Sequence, residues 1–166
     1  MENAIISAVT HDTSEAKMTV SGVPDQPGVA AKLFRSLADA GVNVDMIVQN
    51  VSDAGATDIS FTLPHDQVSA ATATVDALVA EIGAKGVVTD TGIGRVSLTG
   101  AGMQTNPGVA ATMFETLSSS GINIEMISTS AIRISCVVRE DQAEQAVTVL
   151  HAAFELDKAP ADRADI

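Results

Sequence analysis

The sequence predicts an α+β fold built from two βαββαβ units, and three observations carry that expectation. First, a 26-residue stretch recurs: DQPGVAAKLFRSLADAGVNVDMIVQN at 25–50 and TNPGVAATMFETLSSSGINIEMISTS at 105–130 agree at eleven positions. Second, each copy switches between the two-residue apolar period of strands and the longer period of helices. Third, both copies are punctuated alike, by Pro-Gly (Pro27-Gly28, Pro107-Gly108) before the helical stretch and by Gly41 or Gly121 after it.

The similarity runs outward from this stretch. Lys17-Met18-Thr19-Val20-Ser21-Gly22 matches Arg95-Val96-Ser97-Leu98-Thr99-Gly100, Ile59-Ser60 matches Ile134-Ser135, and Asp66-Gln67 matches Asp141-Gln142. Matches kept in this order point to a duplication.

The elements follow in sequence. Met18 and Val20, then Val96 and Leu98, mark an opening strand with alternate residues inward. A helix is expected from Pro27 and from Pro107, because proline is tolerated at the first helical position. Its apolar stripe is Ala30, Leu33, Phe34 and Leu37, repeated as Ala110, Met113, Phe114 and Leu117, with Gly41 and Gly121 just past its end. Val42, Val44, Met46 and Val48 predict a second strand, with Ile122, Ile124 and Met126 in the second copy. A third strand turns Ile59, Phe61 and Leu63 inward, and Ile132, Ile134 and Cys136 are expected to do the same. The second helix carries Ala71, Val75, Leu78, Val79 and Ile82, mirrored by Ala143, Ala146, Val147, Leu150 and Phe154. Gly86-Val87-Val88-Thr89 closes the first copy. Each unit therefore reads as ferredoxin-like, an antiparallel four-stranded sheet with two helices on one face.

The second copy lacks a closing strand, since the residues from Glu155 to Arg163 are too polar for one. Ile5-Ile6-Ser7-Ala8-Val9 is a spare strand ahead of the first copy. The expectation is that it completes the second sheet and covers its open edge. The first unit, 15–92, is then nested within the second, 1–14 and 93–156, with 157–166 as a polar C-terminal tail.

Composition narrows the function. The chain has 166 residues, 46% of them hydrophobic, with 2% aromatic residues, all Phe, so few rings are available for stacking on bases. A net charge of −12 with no basic stripe argues against binding nucleic acid or an anionic membrane. Cys136 lies in an apolar run and is expected as a buried small hydrophobe. Neither an export signal nor a membrane-spanning stretch is legible, so the expectation is a cytoplasmic protein.

Chemistry is equally sparse. His11, His65 and His151 lie in unrelated segments, and no triad, metal-ligand spacing or cofactor motif accompanies them, so no catalytic residue, metal or cofactor is assigned. His151 is expected as a half-buried packing residue, and Thr91-Gly92-Ile93-Gly94 as the linker between units. What remains is the loop–helix junction of each copy, Asp25-Gln26-Pro27-Gly28 and Thr105-Asn106-Pro107-Gly108. Helix amino ends present unpaired N–H groups and partial positive charge, which favour a carboxylate. Each junction is followed by an asparagine, Asn43 or Asn123, whose amide can both donate and accept. The pairing suits a zwitterionic amino acid.

Pro-Gly-Val-Ala followed by Val-Asn-Val-Asp-Met-Ile-Val-Gln-Asn, and Ile-Asn-Ile-Glu-Met-Ile-Ser-Thr-Ser followed by Ile-Arg-Ile-Ser, closely resemble the tandem ACT domains of the aspartate kinase family. The match covers essentially the whole chain and is similar to the regulatory β subunit of the α2β2 enzymes. The resemblance implies a non-catalytic, allosteric feedback subunit that works with a catalytic α subunit and pairs as a homodimer. It implies threonine held by Asp25, Gly28, Val29, Ala30 and Gln49, with Asn123 and Ile124 from the facing unit of another chain. Lysine, a second effector in the family, would use Asn106, Gly108, Val109, Ser128, Thr129 and Ser130. The family usually reads Ser-Glu-Ile-Arg-Ile-Ser where this chain reads Ser130-Ala131-Ile132-Arg133-Ile134-Ser135, which removes a carboxylate partner for lysine. The competing readings are a regulatory ACT subunit of another amino-acid biosynthetic enzyme such as acetolactate synthase, a ferredoxin-like enzyme with a backbone-built site, and a purely structural dimer.

Overall fold

A computed structural model describes residues 4–51 and 54–164. It holds two compact units, residues 14–91 and residues 1–13 with 92–166. In the first, β2 (Glu15–Pro24), α1 (Val29–Asp39), β3 (Ile47–Gln49), β4 (Ala56–Pro64), α2 (Val68–Ile82) and β5 (Gly86–Asp90) form a sheet in the order β3-β4-β2-β5. The second comprises β1 (Ile5–Asp12), β6 (Ile93–Ala101), α3 (Gly108–Ser119), β7 (Met126–Thr129), β8 (Arg133–Arg139) and α4 (Ala143–Ala153), with its sheet ordered β1-β6-β8-β7. Every recorded strand pair is antiparallel. The N-terminal strand thus completes the second sheet, and the first unit is nested inside the second, as the missing closing strand implied.

Each unit has its own core between helices and sheet. In the first, Met18, Val20, Ile59, Phe61 and Leu63 meet Leu33, Leu37, Ala71, Val75 and Leu78. In the second, Val96, Leu98, Ile134, Cys136 and Val138 meet Val109, Met113, Leu117, Ala146 and Leu150. The duplicated cores have diverged in a compensating way. Aligning Asp66-Gln67 with Asp141-Gln142 and Ile59-Ser60 with Ile134-Ser135 puts Phe61 opposite Cys136 and Val79 opposite Phe154. A strand ring in one unit is replaced by a ring from the end of α4 in the other.

Several expectations need correction. The helices begin at Val29 and Gly108, not at the prolines. Gly28 sits at φ 92, a left-handed conformation outside the helix that glycine adopts without penalty. The second strands are shorter than the apolar alternation suggests: 42–46 lies outside any strand, and Asp45 and Met46 both bond the backbone of one residue, Thr62. There the Thr62 hydroxyl accepts the Met46 N–H at 3.0 Å, which interrupts the ladder. Ile132 is exposed in the turn before β8, and Val138 takes the third inward position. His151 is exposed rather than half-buried.

Gly22 and Gly100 occupy the same place in the repeat, and in each unit another chain segment crosses over them. A Cβ on Gly100 would lie 2.6 Å from the Ile5 carbonyl oxygen of β1, and one on Gly22 would lie 2.6 Å from the Lys85 side chain, just before β5. The residues after α4 fold back as well. Glu155, at φ 51, holds the Lys158 ammonium at 2.6 Å and the Ala164 N–H at 2.7 Å, and the Arg163 guanidinium donates to the Ile6 carbonyl at 2.5 Å.

Cys136 is fully buried, and burial pushes its thiol up to about 12. The neutral form is favoured in the fold, so this contribution to stability holds below the unfolded thiol's 9.0 and is lost as pH rises towards 12. Iodoacetamide at pH 8 is therefore expected to leave the native chain unmodified and to label it once urea unfolds the second unit. Rapid labelling without denaturant would contradict the burial.

Candidate functional site

Antiparallel pairing gathers the expected threonine residues of the first unit at one end of its sheet. Asp25 follows the last residue of β2, Gln49 ends β3 opposite Ile59, and Ala56 begins β4 opposite Pro24. The Asp25 N–H donates to the Gly55 carbonyl at 2.9 Å, and the Thr57 hydroxyl donates to the Asn50 carbonyl, so the loop before α1 is tied to the hairpin. The side chains of Asp25 and Gln49 are exposed.

The amino end of α1 meets this cluster. It has no side-chain cap and no acidic residue in its first turn. The positive end of the helix dipole is thus left to whatever anion enters the loop. A Cβ on Gly28 would meet nothing within 4 Å, which makes this an open backbone approach.

The second junction differs. There the Asn106 side-chain oxygen accepts the Gly108 N–H at 3.2 Å, so one amide at the start of α3 is already taken, although the N-cap position itself, Pro107, makes no side-chain bond. Beside it lies a crevice of about 360 Å³ whose floor and walls are Met103, Val109, Ala110 and Ile134. Gln104, Asn106, Pro107, Thr129, Ser130 and Ala131 complete the lining, and none of these ten residues carries a carboxylate. Four of the six residues expected for lysine therefore line one crevice. Gly108 and Ser128 do not.

Met103 and Gln104 are contacts that pattern reading missed. Their signal was a length difference, since Gly100 to Pro107 is two residues longer than Gly22 to Pro27. The insertion folds as the 3₁₀ turn Met103–Thr105 and drives Met103 into the core side of the crevice.

Asn123 and Ile124 lie in the second unit, between α3 and β7, and the expected site has another copy of the chain supply them. Asn123 is exposed and Ile124 packs on the core. Among the described residues no three His, Cys, Asp or Glu side chains form a metal-binding group, and no helix is long and apolar enough to cross a membrane.

The ACT domain family model matches residues 18–78 and 96–154. Aspartokinase of Mycolicibacterium smegmatis is 52% identical over 158 residues, covering 94% of this chain and 38% of that protein. A crystal structure of aspartokinase alpha and beta subunits superposes with a TM-score of 0.86 at 41% identity, covering 92% of this chain and 100% of that one. The ligand-free regulatory subunit of aspartate kinase from Thermus thermophilus gives 0.85 at 39% identity, covering 90% and 98%. The chain spans about two-fifths of the length of the curated relatives it matches.

Proposed function

Because the chain belongs to the ACT-domain family, as an aspartate kinase regulatory domain with two ACT repeats, we propose that it is a feedback sensor for free threonine. The observation that carries this reading is the uncapped amino end of α1, set at the same sheet end as Asp25 and Gln49. A zwitterion fits there by simple electrostatics. Its carboxylate takes the amides at the start of α1, Gly28 to Ala30, replacing the long 3.4 Å bond from the Val29 N–H to the Gln26 carbonyl, and Asp25 faces its ammonium. Gln49 and, from a second copy, Asn123 and Ile124 enclose the short side chain.

The second junction is a poorer anion site because Asn106 already occupies the Gly108 amide. Its crevice also offers no carboxylate to an ammonium at the far end of a ligand. A lysine side chain would bury a charge without a partner, so lysine binds more weakly than threonine. The partner that receives the signal is a catalytic aspartate kinase subunit, with threonine favouring one arrangement of a regulatory homodimer. Coupling of roughly 1–3 kcal/mol would change apparent affinity about 5–150-fold.

A melting screen of the full chain against the twenty amino acids tests this reading. Threonine is expected to raise the melting temperature by several degrees at saturating concentration, with lysine well behind. No shift with any amino acid would leave only a duplicated structural domain, and a lysine affinity equal to that for threonine in calorimetry would refute the discrimination.

A further inference from the structure

We infer that Gln142 and Arg139 are positioning residues that hold the Asn123–Ile124 wall of the amino-acid site, an inference that rests on the threonine-sensor reading above. The segment from Gly121 to Glu125 lies between α3 and β7 and belongs to no strand. A stretch of backbone outside regular pairing needs other partners to keep one geometry. Here it is clamped at both ends. At the first, the Gln142 side-chain amide donates to the Gly121 carbonyl at 3.3 Å. At the second, the Arg139 guanidinium grips the Glu125 carboxylate through two bonds, Nε at 2.7 Å and Nη2 at 2.9 Å, while the Glu125 N–H donates to the Val137 carbonyl at 2.8 Å. Asn123 and Ile124 are suspended between these clamps.

Both clamps come from one short stretch, the end of β8 and the 3₁₀ turn Glu140–Gln142 that follows it. The first unit uses the same device. Gln67, the counterpart of Gln142, accepts the Asn43 N–H at 2.7 Å through its side-chain oxygen. The recurrence of Asp-Gln before the second helix of each copy thus has a physical reason: it braces the asparagine-bearing loop. The two braces have opposite polarity, since a glutamine amide can accept or donate. Gln142 acts as a donor, and a carboxylate in its place would face a carbonyl oxygen with no proton to share.

The paired fork of Arg139 is equally specific. A lysine keeps the charge but offers no planar pair of donors to a carboxylate. Neither Gln142 nor Arg139 touches the proposed ligand. Each acts by fixing where Asn123 and Ile124 stand.

Titration calorimetry of threonine into the full chain decides the matter, with Gln142→Glu, Gln142→Lys and Arg139→Lys compared to the unmodified protein. Gln142→Glu and Arg139→Lys are expected to weaken binding about tenfold, and Gln142→Lys, which restores a donor, to stay within about twofold. Ligand-free melting temperatures measured alongside separate lost affinity from lost fold. Should Gln142→Glu not fold, Arg139→Lys against Gln142→Lys gives the same comparison. Unchanged threonine affinity in Gln142→Glu and Arg139→Lys would overturn the inference, as would equal weakening in all three variants. If the unmodified chain binds no amino acid at all, the sensor reading fails first and this inference falls with it.

Discussion

Replacing Phe61 by alanine is expected to destabilise the first unit by about 3–5 kcal/mol, a large share of the roughly 5–15 kcal/mol that holds a domain together. Phe61 is fully buried on β4, between Met18 of β2 and Ile47 of β3 in the sheet register. Its ring meets that of Phe34 from α1 edge to face, with centroids 5.7 Å apart and planes at 71°. Truncation removes this aromatic pair as well as the buried area, leaving a hole between the central strand and the helix whose amino end carries the proposed site. Urea denaturation is the direct measurement, and a loss below about 1 kcal/mol would show that the core closes over the gap. In the second unit the same repeat position is Cys136, so Cys136→Ala should be far milder.

Gly100→Val is expected to dislodge β1. Its Cβ would fall 2.6 Å from the Ile5 carbonyl oxygen and 3.1 Å from the Ile6 Cα, both backbone atoms of the paired strand, which cannot turn aside as a side chain can. Overpacking of this kind costs about 1–3 kcal/mol, and here the strain is relieved only by moving the strand itself. Amide hydrogen exchange along Ile5–Asp12 should then approach that of an unstructured chain while α1 and α2 keep their protection. Protection of β1 equal to that of the unmodified chain would refute the steric account. The counterpart Gly22 faces the flexible methylenes of Lys85 and is limited instead by its φ of +62.

Much of this architecture is legible in the sequence because the duplication lets each copy check the other. Alternation in one copy and helical spacing at the same offset in the next leave few alternatives. The spare N-terminal strand could be assigned because the second copy lacked a closing strand and an open edge had to be covered. Details resting on a single hydrogen bond or one backbone angle were not legible. Nothing in Val42-Asn43-Val44-Asp45-Met46 announces that the Thr62 hydroxyl will take a ladder position, or that Pro27-Gly28 will turn left before α1 begins. The two helix amino ends could be singled out from the sequence as places to look for a ligand. Their inequality depends on Asn106 turning its amide back onto Gly108 where the first copy has Gln26. Ile132 misled because its apolar character fitted the strand period while its position belonged to the turn.

The insertion of one unit inside the other sets an order of assembly. Joining β1 to β6 requires two strands separated by some eighty residues of chain to meet, an entropic handicap that grows with the logarithm of that separation. Pairing of Lys17 with Asp90 in the inner sheet brings the two ends of the intervening chain side by side. Once that sheet exists, the effective gap shrinks to a few residues, and the barrier to zipping β1 onto β6 falls by roughly 2 kcal/mol. The inner unit is thus a template for the outer one, and damage at its centre would delay the pairing of strands outside it.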